Sequence, residues 1–285
     1  MIAHLHFGNI CNMACGYCIN RVRSELCMTR QVTQATVRFL NAAGVDVVIL
    51  QGGEPTVWPQ AVDCVRALTC SRLKVLTNGL LSDKLAAIID AAAGKHVTVT
   101  VSVHHDYWLA QRDVYAAAVL ADCRLLTAAS ARFNVKLLVD VEDMRTSEEI
   151  FAWATANVDQ ARLNVDLVRR SETETERFRT LLALRRSKVM WPLVNQLNPA
   201  LLTDRRENVF YGKPCQYFVN FMVVQANGDV YSSLCAQRVL GGNVLDEGFK
   251  LTPSIVTCEQ ATVGCAGDCY TCNGIRLSGS NGDIL

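Results

Sequence analysis

Cys11-Asn12-Met13-Ala14-Cys15-Gly16-Tyr17-Cys18 places three cysteines within eight residues, directly after a strand-like opening run at 2–7. The CxxxCxxC spacing, folded back at Gly16, offers three thiolates to three irons of a cubane 4Fe-4S cluster and leaves the fourth iron without a protein ligand. An open iron is a place for chemistry. A structural zinc site is the alternative, with His4 or His6 as the fourth ligand of a closed tetrahedron. Zinc motifs usually pair two CxxC-type elements, and no second one follows nearby.

Outward from this loop, β-branched runs alternate with apolar-periodic stretches, the pattern of an α/β fold with parallel strands. Strands are expected at 2–7, 45–50, 73–76, 97–103, 135–141 and 163–168. Helices are expected at 33–43, 60–68, 82–93, within 113–132, at 147–157 and at 172–186, with Ser82 and Ser147 as N-caps. Six strand-helix units over about 185 residues are too few for a closed eightfold barrel.

In parallel barrels the functional residues collect at the C-terminal ends of strands. The first strand leads into Cys11, Cys15 and Cys18, the second ends in Gln51-Gly52-Gly53-Glu54-Pro55, the third in Thr77-Asn78-Gly79 and the fourth in Ser102. Gly-Gly-Glu-Pro and Thr-Asn-Gly are ordinary turn sequences when taken singly. In this order, behind the three cysteines, they resemble the radical S-adenosylmethionine (SAM) superfamily.

That resemblance implies an open (β/α)6 partial barrel over residues 1–190, with SAM chelated to the open iron. It implies that Tyr17 lies beside the adenine and that Gly52, Gly53, Glu54 and Pro55 form the GGE-type turn receiving the SAM ammonium group. Asn78 belongs to the TNG-type turn, and Ser102 contacts the ribose or carboxylate. Glu54 reads as an exposed strand-end acid that contributes little to stability. One departure is visible: relatives commonly carry an acid and a glycine after the fourth-strand serine, where this chain has His104-His105-Asp106. Both histidines read as hydrogen-bonded loop residues without a catalytic role.

After the sixth unit the pattern changes. Two alternating runs flank Asn227-Gly228, the signal of a type I′ hairpin, and put Cys215 and Cys235 at its open end. Gly241-Gly242-Asn243-Val244 follows, then Cys258, Cys265, Cys269 and Cys272. Residues 215–285, joined by a linker at 191–214, resemble a small hairpin and helix iron-sulfur extension of the twitch type, a short form of SPASM. The ligands expected for an auxiliary 4Fe-4S cluster are Cys215, Cys235, Cys269 and Cys272. Cys265 repeats the N-terminal spacing and is a rival ligand, Cys258 is left open between ligand and bystander, and a zinc ribbon is the structural alternative. Cys27, Cys64, Cys70 and Cys123 read as ordinary thiols, the last three on helices.

Half of the 285 residues are hydrophobic, enough for a full core, yet the most apolar stretch, 86–103, is interrupted by Asp90 and Lys95. Without a membrane span or signal core, thirteen cysteines read as metal ligands and reduced thiols, and the expected location is the cytoplasm. The net charge of +1 gives no overall bias toward nucleic acid or membrane. Arg177, Arg179, Arg185, Arg186, Lys188, Arg205, Arg206 and Lys213, set against Asp204 and Glu207, make a local excess of six positive charges. Trp191, Phe210 and Tyr211 lie among them and offer rings for stacking, although a solvated surface explains such a run equally well.

The resemblance implies an isomerase or oxidoreductase that cleaves SAM, needs an external one-electron donor of the flavodoxin or ferredoxin kind, and removes a hydrogen from its substrate. A nucleic-acid base or nucleotide leads among substrates, with DNA modification as one form. Ribosomal peptides and small aminoglycoside-like molecules are the rivals; with the first strand at residue 2, no leader-binding module is expected. A non-enzymatic iron-sulfur or zinc scaffold is the reading from another class.

Overall fold

The computed structural model describes residues 1–18, 26–140, 142–168, 187, 212–233 and 239–259. Six strands lie side by side in chain order: β1 (Ile2–His6), β2 (Val47–Gln51), β3 (Arg72–Thr77), β4 (His96–Val103), β5 (Arg132–Val139) and β6 (Leu163–Leu167). All are parallel. Parallel neighbours require crossovers, which are α1 (Arg30–Ala42), α2 (Ala61–Ala67), α3 (Ser82–Ala91), α4 (His105–Ala128) and α5 (Met144–Asn157). This is the expected α/β architecture. The helix expected at 172–186 lies outside the described residues.

The strands alternate sides as the pleat dictates. Ala3 and Leu5 of β1, Val48 and Leu50 of β2, Leu73 and Val75 of β3, and Val99 and Val101 of β4 point together beneath the helices and are almost fully buried. Each Val or Leu so buried is worth about 1.5–3 kcal/mol. Phe7, one residue past β1, stacks on Trp58 at 4.9 Å, anchoring the chain just before the cysteine loop. On the other face of β1, His4 sits edge-on to Phe221 at 4.7 Å, and burial pushes its pKa down to about 4.

Past the barrel come β7 (Pro214–Tyr217), β8 (Phe221–Gln225), β9 (Asp229–Tyr231), β10 (Leu240–Asn243) and β11 (Ser254–Thr257). β8 pairs in parallel with β1, from Ile2 opposite Phe221 to His6 opposite Gln225, so β8, β9 and β10 continue the barrel sheet. β7 and β11 form a separate antiparallel pair. Of the expected linker 191–214, only residues 212–214 are described.

Several local expectations are corrected. The β8–β9 turn closes through Gly228 N–H to Gln225 O at 2.9 Å, and only Gly228 (φ +92°), not Asn227, has a positive φ. A type I′ turn needs both, so this is a type I-like turn followed by a glycine bulge. Cys215 lies on β7, outside that hairpin, and Cys235 lies outside the described residues. The cap of α5 is Asp143, which accepts Thr146 N–H, whereas Ser147 exchanges hydrogen bonds with the Asp140 backbone. Ser82 is the first residue of α3, and its hydroxyl goes to Asp122 instead of the helix end. Cys70 is in the loop after α2, not on a helix.

Candidate active site

The strand ends assemble through backbone contacts. Gly53 N–H donates to Gly8 O at 2.7 Å and Glu54 N–H to Ile10 O at 2.8 Å, zipping the turn after β2 onto the segment entering the cysteine loop. No side chain fits between them: a Cβ on Gly53 would lie 1.8 Å from Ile10 O, and one on Gly52 (φ +137°) 2.6 Å from Gly8 O.

Glu54 is not the exposed acid expected from sequence. It is 2% exposed. Its Oε1 accepts from Thr56 N–H (3.1 Å), the Thr56 hydroxyl (2.7 Å) and the Thr77 hydroxyl (2.8 Å), and its Oε2 from Asn78 N–H (2.7 Å). Burial pushes its carboxyl up while these donors pull it down. The acid braces the end of β2 against the end of β3. Pro55 opens the 3-10 turn Pro55–Val57 that Glu54 caps.

Asn78 in turn reaches the cysteine loop, its amide nitrogen donating to Asn12 Oδ1 at 2.7 Å. Cys11, Cys15, Cys18, Gly52, Gly53, Glu54, Asn78 and Ser102 line one open cleft, joined by His104. Tyr17 is buried beside it, its ring stacked on His104 at 6.2 Å between centroids. Of the ten residues named from sequence for the first cluster and SAM, eight line this cleft, Tyr17 is buried beside it, and Pro55 follows Glu54 in the buried turn outside the lining. Neither His4 nor His6 lines the cleft.

Burial pushes the Cys15 thiol up to about 11, with the Asp106 carboxylate adding to it, and raises Cys11 as well. Thiols so held keep their protons until a metal displaces them. Among the described residues no three His, Cys, Asp or Glu side chains gather closely enough to share one ion. Three thiols spread around an open cleft fit a cube of irons, each taking its own thiolate.

Tyr115, which carries no sequence signal, is the hub of the site. Fully buried on α4, its hydroxyl lies 3.0 Å from Asn78 O and 2.7 Å from Ser102 O, and accepts His104 N–H at 3.0 Å, stitching the ends of β3 and β4. His104 is also more than a loop residue: its Nδ1 is 3.4 Å from Cys15 Sγ, and burial pushes its pKa down to about 4. Of the C-terminal cysteines, Cys215 and Cys258 are described and buried; Cys235, Cys265, Cys269 and Cys272 are outside the described residues.

An open α/β sheet thus carries three cysteines after its first strand and glycine-rich turns after the next two. The Radical SAM superfamily model matches residues 5–117 of the chain. The fold is similar to that of "His6 tagged anSMEcpe with bound AdoMet", at TM-score 0.58 and 16% identity over 86% of this chain and 78% of that one. It is also similar to Streptococcus suis SuiB bound to S-adenosylmethionine, at TM-score 0.53 and 16% identity over 87% of this chain and 64% of that one. At such identities the likeness is one of fold. No curated protein matches the chain in sequence. Among the described residues no helix is long and apolar enough to cross a membrane.

Proposed function

We propose that this protein is a radical SAM enzyme that removes a hydrogen atom from its substrate, with isomerisation or oxidation to follow. The supporting observation is the single cleft that Cys11, Cys15 and Cys18 share with the turns after β2, β3 and β4. Bound there, a 4Fe-4S cluster and SAM supply one-electron reductive cleavage of SAM to methionine and a 5′-deoxyadenosyl radical, the electron coming from an external flavodoxin- or ferredoxin-like donor. The protein's part is to bind and orient. Cys11, Cys15 and Cys18 hold three irons; Gly52, Gly53, Glu54 and Pro55 form the cradle for the SAM amino group; Asn78, Ser102 and Tyr17 fix the rest of the molecule. Held in this way, the SAM 5′ carbon has one orientation toward the substrate hydrogen.

An auxiliary 4Fe-4S cluster of twitch type on Cys215, Cys235, Cys269 and Cys272 belongs to the same reading. Its support is the β7–β11 pair. Val256 lies opposite Cys215, and Cys258, two residues on, is buried on the same face with its N–H donating to Lys213 O at 2.9 Å. This position keeps Cys258, like Cys265, as an alternative ligand.

For the substrate, the basic stretch ending at Lys213 supports a nucleic-acid base, with Arg185, Arg186, Arg205 and Arg206, all outside the described residues, as phosphate contacts. A peptide is the second reading, favoured by "Native anSMEcpe with bound AdoMet and Kp18Cys peptide", similar in fold at TM-score 0.56 and 16% identity. Salt decides between them. A nucleic-acid enzyme binds DNA or RNA with a log-log salt slope of about −0.7 to −0.9 per phosphate contact, and replacing the four arginines by glutamine flattens it. The absence of salt-dependent binding at low ionic strength would sink the nucleic-acid reading.

A further inference from the structure

The turn after β4 reaches back to the cysteine loop across about 90 residues of chain, through three contacts. Asp106 Oδ2 accepts Gly16 N–H at 2.8 Å. His104 Nδ1 lies 3.4 Å from Cys15 Sγ and 3.2 Å from Tyr17 Oη, with the two rings stacked at 11°. Behind them sits His105, 1% exposed, with Nδ1 3.6 Å from Asp106 Oδ1 and Nε2 3.4 Å from Asp143 Oδ2. The imidazole of His105 thus packs between the Asp106 carboxylate and Asp143 at the start of α5, without hydrogen-bond geometry to either. The backbone of the same turn is pinned by His104 N–H to the Tyr115 hydroxyl at 3.0 Å.

A cysteine bound to iron is a thiolate and has no proton to donate. A bond from His104 to that thiolate requires the Nδ1–H tautomer, in which the Tyr17 hydroxyl, 3.2 Å from the same nitrogen, cannot donate to it. A donor aimed at a cluster thiolate favours the reduced cluster, which holds one more negative charge, and so raises its reduction potential.

We propose that His104 is a positioning residue for the cluster site: its Nδ1–H donates to Cys15 Sγ, Asp106 fixes the Gly16 amide so that loop and ring keep their distance, and the bond raises the cluster's reduction potential. The inference rests on the radical SAM reading of Cys11, Cys15 and Cys18, and it assigns a task to the very residues by which this turn departs from its relatives. It predicts that a donor at the Nδ1 position is what matters. An asparagine amide falls close to that position, a glutamine amide falls beyond it, and leucine has no donor.

The test is the midpoint potential of the anaerobically reconstituted full chain, read by electron paramagnetic resonance; the signal missing from the triple alanine variant of Cys11, Cys15 and Cys18 identifies the cluster. His104→Leu and His104→Gln should each weaken reduction about tenfold, a fall of about 59 mV for one electron, while His104→Asn stays near wild type. In wild-type protein labelled with 15N-histidine, the reduced cluster should show a weak 15N coupling that disappears in His104→Asn. Spin-echo spectra read this coupling without relying on any poorly folding variant. Equal potentials in all four proteins, or no 15N coupling, would overturn the inference and leave the radical SAM reading intact. No cluster at all on Cys11, Cys15 and Cys18 in wild type would overturn both.

Discussion

Replacing Glu54 by alanine should unfold this protein far more readily than the loss of a surface acid would. The side chain is 2% exposed and accepts four hydrogen bonds, from Thr56 N–H, the Thr56 and Thr77 hydroxyls, and Asn78 N–H. The hydroxyls can turn to other acceptors; the two amides are fixed by the backbone. A buried donor left without a partner costs about 1–3 kcal/mol, so two give about 2–6 kcal/mol. Because Glu54 lines the cleft and water can enter there, the lower half, about 2–4 kcal/mol, is expected. Glu54→Gln keeps one oxygen but turns an amide N–H toward a donor, and should cost about 1–3 kcal/mol. Urea unfolding of the iron-free protein, comparing midpoints at unchanged slope, reads both. A loss below about 1 kcal/mol for Glu54→Ala, the range of an exposed acid, would refute the brace between β2 and β3.

Three further outcomes are expected. Gly53→Ala must push a Cβ away from Ile10 O, 1.8 Å from its ideal position, so it should lose about 2–3 kcal/mol in urea unfolding and bind less iron on reconstitution. Tyr115→Phe removes the hydroxyl contacting Asn78 O, Ser102 O and His104 N, and should cost about 1–3 kcal/mol by the same assay. Reconstituted wild type should hold about eight irons, and the triple alanine variant of Cys11, Cys15 and Cys18 about four; complete loss of iron in that variant would show that the C-terminal cysteines bind no independent cluster.

The six barrel strands were legible because their β-branched runs are short, separate and flanked by turns; β4, expected at 97–103, is His96–Val103. The start of α4 was not. Its first turns carry no apolar period, and Gln111 (φ −148°, ψ 47°) kinks the helix there, so the periodic signal begins only past residue 112. The α5 cap was misread although Asp143 stands three residues before Thr146, the spacing an N-cap acid needs.

The site divides in the same way. Gly52, Gly53, Glu54, Asn78 and Ser102 could be named because each lies at or just past the C-terminal end of a strand, and parallel strands bring such ends together. The burial of Glu54 was hidden because its donors include Thr77 and Asn78, 23 and 24 residues away, whose convergence depends on the β2–β3 register. His104 and Asp106 were visible only as a departure from pattern. Their contacts with Cys15 and Gly16 span 89 and 90 residues, a distance across which no local rule operates.

If the proposed function holds, the cleft lined by Cys11, Cys15 and Cys18 cleaves SAM by one-electron reduction. Anaerobic incubation of the reconstituted full chain with SAM and dithionite, followed by mass spectrometry, tests it most directly. Wild type should form 5′-deoxyadenosine and the triple alanine variant none. A wild-type protein with the cluster loaded on these cysteines that forms no 5′-deoxyadenosine would contradict it.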